Sequence, residues 1–510
     1  MNATVFSPTS GLTSDNRAKS LSFGVLRFVA ERWLPIVAFS AILLLPCFWH
    51  RRIEAGDLAS HTYNAWLAQL IVRGDAPGLY LVRQWNNILV DVALAKLGTA
   101  VGLAAAEKIV VSAYVLIFFW GAFAFIAAAT RRPPWILVPA IAMIAYGWTF
   151  QMGFMNYYLS LGFAFFAAAL FWRGQTVDWI AALLLSGLAL LAHPMGFFSL
   201  AGTVAYIRLA EKSSDRYRWL VLASAFLAVL ALHWYIVRHF RVAYWDTPFF
   251  FLLNGADQLV LYGSRYLVVA WIALIFGSGC FIHGRVQQRK RGEPVWSFRT
   301  ALELWAILLF VAAMIPELIY LPWYAAPIGF PVARLTAVTA ILGLCILGSV
   351  QPRRWHLAGL AVCAVIFFAL LYRDTQTLNG MEDQVEEMTK TLPHGRRVIE
   401  TIAAPPDSRI PFINHIVDRA CIGRCFAFAN YEPASGQFRI RVRPGSPLVT
   451  NSVDFSNAME NGDYVVRPQD LPMTQIDQCG GKDFTRLCMH DLRAGEKNGA
   501  SVGNRASAPQ

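Results

Sequence analysis

Long apolar runs separated by short polar loops fill the first three quarters of the chain. They cover residues 33–49, 109–129, 135–150, 159–172, 179–191, 196–210, 220–237, 267–282, 301–321, 335–350 and 357–371. A bilayer core takes about 20 apolar residues per helix, fewer or more when a helix is short or tilted. The pattern therefore predicts a mainly α polytopic bundle of about eleven spans. Residues 87–106, NILVDVALAKLGTAVGLAAA, are long enough to be a twelfth. Asp91 and Lys96 are costly at mid-bilayer, so this piece is expected to lie on or dip into the outer leaflet.

Loop charges give the register. Arg131-Arg132, Arg173, the 211–218 loop, the 283–299 loop and the 351–354 loop fall on one side, and Arg285, Arg289, Lys290, Arg291 and Arg299 form the densest basic cluster. Cytoplasmic loops carry such an excess, which predicts an inside N-terminus and, with an odd number of spans, an outside C-terminus. The expected organisation is a cytoplasmic segment 1–32, a transmembrane domain 33–372 with a first external loop 50–108, an external α/β domain 373–494, and a disordered tail 495–510. Residues 396–401 and 438–442 alternate like strands. The first run is followed by Cys47-Phe48-Trp49-His50-Arg51 rather than by a small-residue cleavage site, so it is expected to stay as an anchor.

Composition agrees with this reading. The chain is 56% hydrophobic and 15% charged, where soluble domains are about 45–50% and about 25%. The net charge of +12 lies mostly in short loops, which makes it a topology signal and not a nucleic-acid surface. The expected location is an inner or plasma membrane, with the tail in the periplasm. Four of eight cysteines, Cys421, Cys425, Cys479 and Cys488, sit in the tail. An external tail predicts two disulfides, with three connectivities open. A zinc site is the competing reading, which the wide Cys479–Cys488 spacing disfavours. Cys47, Cys280, Cys345 and Cys363 lie in or beside spans as packing residues.

The stretch 54–80, EAGDLASHTYNAWLAQLIVRGDAPGLY, carries the candidate chemistry. Asp57, His61 and Asn64 recur at helical spacing on one face, and Tyr63, Trp66, Leu67, Leu70 and Ile71 form another. An amphipathic helix in the interface follows, its polar face looking into an external cavity. Asp57 there is a candidate general base or cation ligand; as the residue before an apolar periodic run it is equally a candidate helix cap. His193 in LALLAHPMGFF, Asn156 and Tyr157 in MGFMNYYLS, Glu317 in MIPELIY and Arg334 in GFPVARLTAV fall on the same side. Arg334 at a membrane boundary is costly and a functional candidate, against snorkelling to the interface. Arg238 and Arg241 are alternatives beside an aromatic loop with Tyr244, Trp245, Asp246 and Phe249-Phe250-Phe251, which would cover a lipid, stack a sugar or form an aromatic belt. No P-loop, dinucleotide fingerprint, Gly-x-Ser-x-Gly or His-Glu-x-x-His occurs.

A first span, a long external loop opening on an acidic residue, an amphipathic helix and the ending Gly74-Asp75-Ala76-Pro77-Gly78-Leu79-Tyr80 resemble GT-C type glycosyltransferases. The resemblance covers the membrane part and rests on architecture with a loose motif. It implies a polyprenyl-phosphate-linked sugar as donor, a glycan, lipid or protein acceptor, and chemistry on the external face. Asp57 matches the catalytic acid, with His61 beside it, and residues 87–106 match the second interfacial helix. Arg334, His193, Arg241, Asn156 and Tyr157 are then the expected groups for the lipid phosphate and substrate. No cofactor is certain; a divalent metal at the carboxylate is the candidate. The alternatives are a transporter or flippase, whose paired broken helices are not evident here, and an envelope scaffold without catalysis.

Overall fold

The computed structural model describes residues 31–173, 176–244, 253–292, 298–350, 353–411, 415–480 and 483–499. Most of segment 1–32, the end of the 495–510 tail, and Trp245, Asp246 and Phe249–Phe251 of the aromatic loop lie outside them. The protein is mainly helical. Every apolar run is helical over most of its length, but among the described residues six helices are long and apolar enough to cross a membrane by themselves: Leu103–Thr130, Met155–Trp172, Arg218–His239, Ser264–Lys290, Pro331–Gly348 and Arg354–Lys390.

The difference from eleven has local causes. The run 135–150 is broken into Trp135–Leu137, Val138–Ala145 and Trp148–Gln151. Gly147 is the break: a Cβ there would meet the Gln258 and Ile144 carbonyl oxygens at 2.8 and 2.9 Å. The run 301–321 is helical only over Arg299–Met314 and then turns into the strand Leu318–Tyr320. Pro316, which has no N–H to continue a helix, lies between them.

The helix Leu103–Thr130 sits at the centre, packed on Met155–Arg173. Its 28 residues measure about 42 Å at 1.5 Å per residue, enough to cross the hydrocarbon. At its far end Arg132 donates to the carbonyls of Gly348 and Val350, which closes that end onto Pro331–Gly348. Arg218 and Arg299 both bind Glu303 at the same end. The helix Arg218–His239 has no buried residue and exposes Trp219, Leu227, Leu230 and Trp234, as a lipid-facing helix does.

The expected surface piece 87–106 divides at Gly102. Leu89–Val101 is a separate helix, and Leu103 already begins the central span. Lys96 is exposed, and the Gly102 backbone, at φ 83° and ψ 150°, makes the turn.

Beyond the bundle, Arg354–Lys390 runs 37 residues without a break and carries the chain into a polar C-terminal unit. That unit is built on a four-stranded sheet. Arg397–Thr401 lies parallel to Phe426–Ala427 on one side and to Met473–Gly480 on the other, and Asp483–Asp491 pairs antiparallel at the edge. Two cysteine pairs are at disulfide distance, Cys421–Cys425 and Cys479–Cys488, the second across the edge hairpin. The expected strand 438–442 forms over Ile440–Val442, but its partner is Leu79–Leu81 of the first loop. Residues 495–499, expected to be disordered, are packed: the buried Asn498 side chain accepts the Tyr464 N–H and donates to the Met459 carbonyl.

The two parts are locked by charge. Arg419 reaches from the C-terminal unit to Glu107, Glu382 and the Ile53 carbonyl. Arg52 pairs with Glu382, Asp383 and Glu386 at the end of the long helix. Arg409 donates to the Asp257 carbonyl and lies against its carboxylate.

Candidate functional site

The loop after the first helix descends onto the membrane bundle at one point. Gly56 and Gly153 make this approach possible. A Cβ on Gly153 would stand 2.4 Å from Asp57 N, and one on Gly56 would stand 2.5 Å from the Met152 carbonyl oxygen. Both have positive φ, at 35° and 78°. Asp57 N donates to that carbonyl at 3.2 Å, so the start of the helix Leu58–Arg73 is pinned to the bundle by its backbone.

Asp57 occupies the cap position, yet its side chain makes no capping hydrogen bond. The carboxylate is 30% exposed and turns instead toward His415 Nε2, 3.8 Å away. The capping role, open from spacing alone, is therefore not what the side chain does.

The rest of that helical face is not open. Ser60, His61, Thr62 and Asn64 are all buried, which corrects the expected cavity-facing surface. The C-terminal unit covers them. Ser60 donates to Glu432, Asn430 donates to Asn64, and the Tyr63 hydroxyl accepts the Ala427 N–H. Thr62 donates to Glu107. His61 turns to Asp91 on the second surface helix, with Nδ1 3.1 Å from Oδ1. Burial alone would lower the His61 pKa, but Asp91, then Glu432 and Asp57, carry it up to about 9. A charged His61–Asp91 pair ties the two surface helices together, and His61 does not share a direct contact with the Asp57 carboxylate.

Arg334, His193 and Tyr157 do come together. Arg334 lies in the first turn of Pro331–Gly348, its Cζ 3.9 Å over the Phe154 ring and 5.9 Å from that of Tyr157. The Tyr157 hydroxyl donates to the Arg334 carbonyl at 2.9 Å, and its ring meets the His193 ring edge-on. His193 is the N-cap of Pro194–Lys212 and accepts the Met195 N–H on Nδ1 at 3.1 Å. The ring proton must then sit on Nε2. Burial, and then the Arg334 charge, lower His193 to about 3, so the ring is neutral. Nε2 faces Arg334 Nη1 at 3.5 Å. A guanidinium only donates, so two donors face each other and no hydrogen bond joins them. Arg334 Nε is buried with no acceptor as well. Among the described residues these three N–H groups then have no acceptor, and an oxyanion would provide one. Arg334 also feels the carboxylates of Asp57 and Glu317, which links this donor cluster to the Asp57 corner.

The other expected residues are placed elsewhere. Asn156 accepts the Val90 N–H and donates to the Asn87 carbonyl, so it fastens the start of the second surface helix. Arg241 lies exposed on a three-stranded sheet, its Cζ 4.9 Å over the Tyr320 ring. Glu317, on the same sheet's return, forms no ion pair with Arg334 among the described residues. It accepts the Val332 N–H and leaves Oε1 buried without a partner. Burial raises its carboxyl to about 7, the Val332 N–H and then Arg409 and Arg334 limiting the rise. Such a group holds a proton that the unfolded chain loses near pH 4.3, so its contribution falls as pH rises from there through about 7. Glu317→Gln is expected to raise the thermal midpoint at pH 8, by on the order of 2 kcal/mol of stability, and to change little at pH 4.5. Melting curves at the two pH values check this.

Sequence reading passed over the C-terminal contributors: His415, Asp418, Tyr431, Glu432 and Glu460. Tyr431 and Glu432 open the YEPASGQFRIR stretch, whose alternating end was visible only as a strand. Among the described residues no three His, Cys, Asp or Glu side chains are gathered as metal ligands. Asp57 alone would offer its carboxylate to a cation shared with a substrate. Compared with known proteins, the chain matches no family model, and no curated protein and no solved structure matches it.

Proposed function

We propose that this protein is a multi-pass membrane glycosyltransferase of the GT-C kind, which moves a sugar from a polyprenyl-phosphate carrier to a hydroxyl acceptor on the external face. The observation that carries the reading is the donor cluster of Arg334 and His193, at a membrane boundary and electrostatically linked to a carboxylate with no structural hydrogen bond. The finer topology goes with it: eleven spans, some short or broken, an inside N-terminus and a C-terminal unit outside, consistent with the two cysteine pairs.

The reaction assigns each group a task. Asp57 takes the proton of the acceptor hydroxyl as that oxygen bonds to the anomeric carbon. The bond from that carbon to the phosphate oxygen breaks, and its electron pair leaves on the phosphate. Arg334 and the neutral His193 donate to the phosphate as its charge grows, which is where preorganised donors act most strongly. Tyr157 and Phe154 hold the guanidinium in place.

Turnover tests the reading. Full-length protein in bilayers is supplied with a polyprenyl phosphate carrying radiolabelled hexose or pentose and an envelope extract as acceptor, and release of free polyprenyl phosphate is followed. Arg334→Gln is expected to slow release about 100-fold, as loss of a charged oxyanion donor does. If label crosses liposome membranes with its carrier bond intact, the protein is a transporter instead. If neither the labelled carrier nor polyprenyl phosphate binds, the scaffold reading replaces both.

A further inference from the structure

We propose that His415, contributed by the C-terminal unit, is a positioning residue for the Asp57 carboxylate, so that the site is complete only when both parts of the chain are docked. The inference rests on the reading of Asp57 as the base.

His415 is held from three sides. Its backbone N–H donates to Glu400 Oε1 at 2.5 Å, its Nδ1 lies 3.0 Å from Asp418 Oδ2, and its ring stands 5.9 Å from that of Tyr431. The backbone is at φ 77°, in the left-handed region that few non-glycine residues adopt. A carboxylate accepts and cannot donate, so Asp418 fixes a proton on Nδ1 and turns Nε2 toward Asp57. This Nε2 lies 3.8 Å from the Asp57 carboxylate.

The charges around the ring explain its state. Asp57 faces it from the first loop. Asp418 follows in its own helix, Glu400 lies on the central strand, Glu432 on the docking stretch, and Glu460 on the helix Val453–Asn461. Burial would lower the His415 pKa, but Asp418, then Asp57 and Glu460, raise it well above the ordinary value. The ring is an imidazolium among five acids and a tyrosine.

An imidazolium at that distance does two things for a base. It draws the carboxylate toward itself by charge, which the missing capping bond permits, and it balances a negative charge that stands near Glu460 and Glu432. His415 is 5% exposed and Asp57 is the more open of the two, so the acceptor meets Asp57 and not His415. A histidine that merely packs would leave kcat unchanged in every variant that folds.

The test uses full-length protein in bilayers with the labelled polyprenyl-phospho-sugar. His415→Gln is expected to lower kcat about tenfold and to keep KM for the carrier within about twofold, because the base loses the charge that places it while the lipid-phosphate groups are untouched. Asp418→Asn keeps an acceptor for Nδ1 but weakens the hold on the ring, so it is expected to lower kcat by less, again with KM kept. It decides the matter if His415→Gln does not fold. Wild-type kcat in the folded variants, with Asp57→Asn inactive, would overturn the His415 assignment and leave the base reading standing. Full activity in Asp57→Asn would remove both.

Discussion

Asp57→Asn is expected to abolish sugar transfer while the protein folds and inserts as before. Asparagine is as good a residue at a helix start as aspartate, so helix formation is not at stake. The contacts that hold this position are backbone ones, Asp57 N to the Met152 carbonyl and His61 N to the Asp57 carbonyl. The carboxylate itself caps nothing. What the substitution removes is a proton acceptor and a negative charge facing His415. Removing a general base costs about 10²–10⁴ in rate. The comparison is initial transfer rate against thermal midpoint and membrane yield in the same preparation. A variant that keeps its midpoint and loses transfer separates chemistry from structure. A variant that keeps its transfer rate means that Asp57 is not the base.

How far such a site is legible in a sequence depends on how local its causes are. Asp57 and Arg334 stand out because a charge at a membrane boundary is expensive wherever the chain goes next. His193 and Tyr157 follow from the same boundary, since the apolar runs and loop charges order the ends of the helices. The cysteine pairing shows the limit of this reasoning. Four external cysteines predict two bridges, and only the hairpin Met473–Gly480 with Asp483–Asp491 makes Cys479 and Cys488 neighbours.

Long-range docking leaves no local mark. The spacing of Asp57, His61 and Asn64 is that of a solvated polar face, and nothing near residue 60 announces that Asn430 and Glu432 cover it. The segment 438–442 alternates as a strand should, but alternation does not name its partner, here Leu79–Leu81 some 360 residues earlier. Asn156 is polar at the right end of a span and still serves a loop, because the Val90 N–H needs an acceptor once the second surface helix lies down. The break at Gly147 likewise depends on Gln258, which accepts from Thr149 and donates to Ala333 and Thr336. Periodicity alone has no access to such a partner.

Arg419→Met is expected to destabilise the docked arrangement by about 3–5 kcal/mol, the usual result of removing one partner from a buried charge cluster. Arg419 donates to both Glu382 oxygens at 2.8 and 3.0 Å and to the Ile53 carbonyl at 3.0 Å. Its Nε lies 3.2 Å from Glu107 Oε2, a charge contact more than an aligned hydrogen bond. The three side chains are 12%, 4% and 4% exposed, so solvent does little to screen them. Without the guanidinium, Glu107 keeps only the Thr62 hydroxyl, and Glu54, already buried with an unpartnered oxygen, loses its strongest opposing charge. Three carboxylates would then face one another across the joint between the bundle and the C-terminal unit. The Arg52 pairs with Glu382, Asp383 and Glu386 remain, so the long helix stays fastened at its rim. Limited proteolysis of the C-terminal unit, read beside the thermal midpoint, measures the loss. Adding Glu107→Gln and Glu54→Gln to Arg419→Met is expected to recover much of it, because the cost lies in the acids left without a cation and not in the missing arginine. If the triple variant melts no higher than the single one, Arg419 holds the joint by shape and by its bond to Ile53 instead.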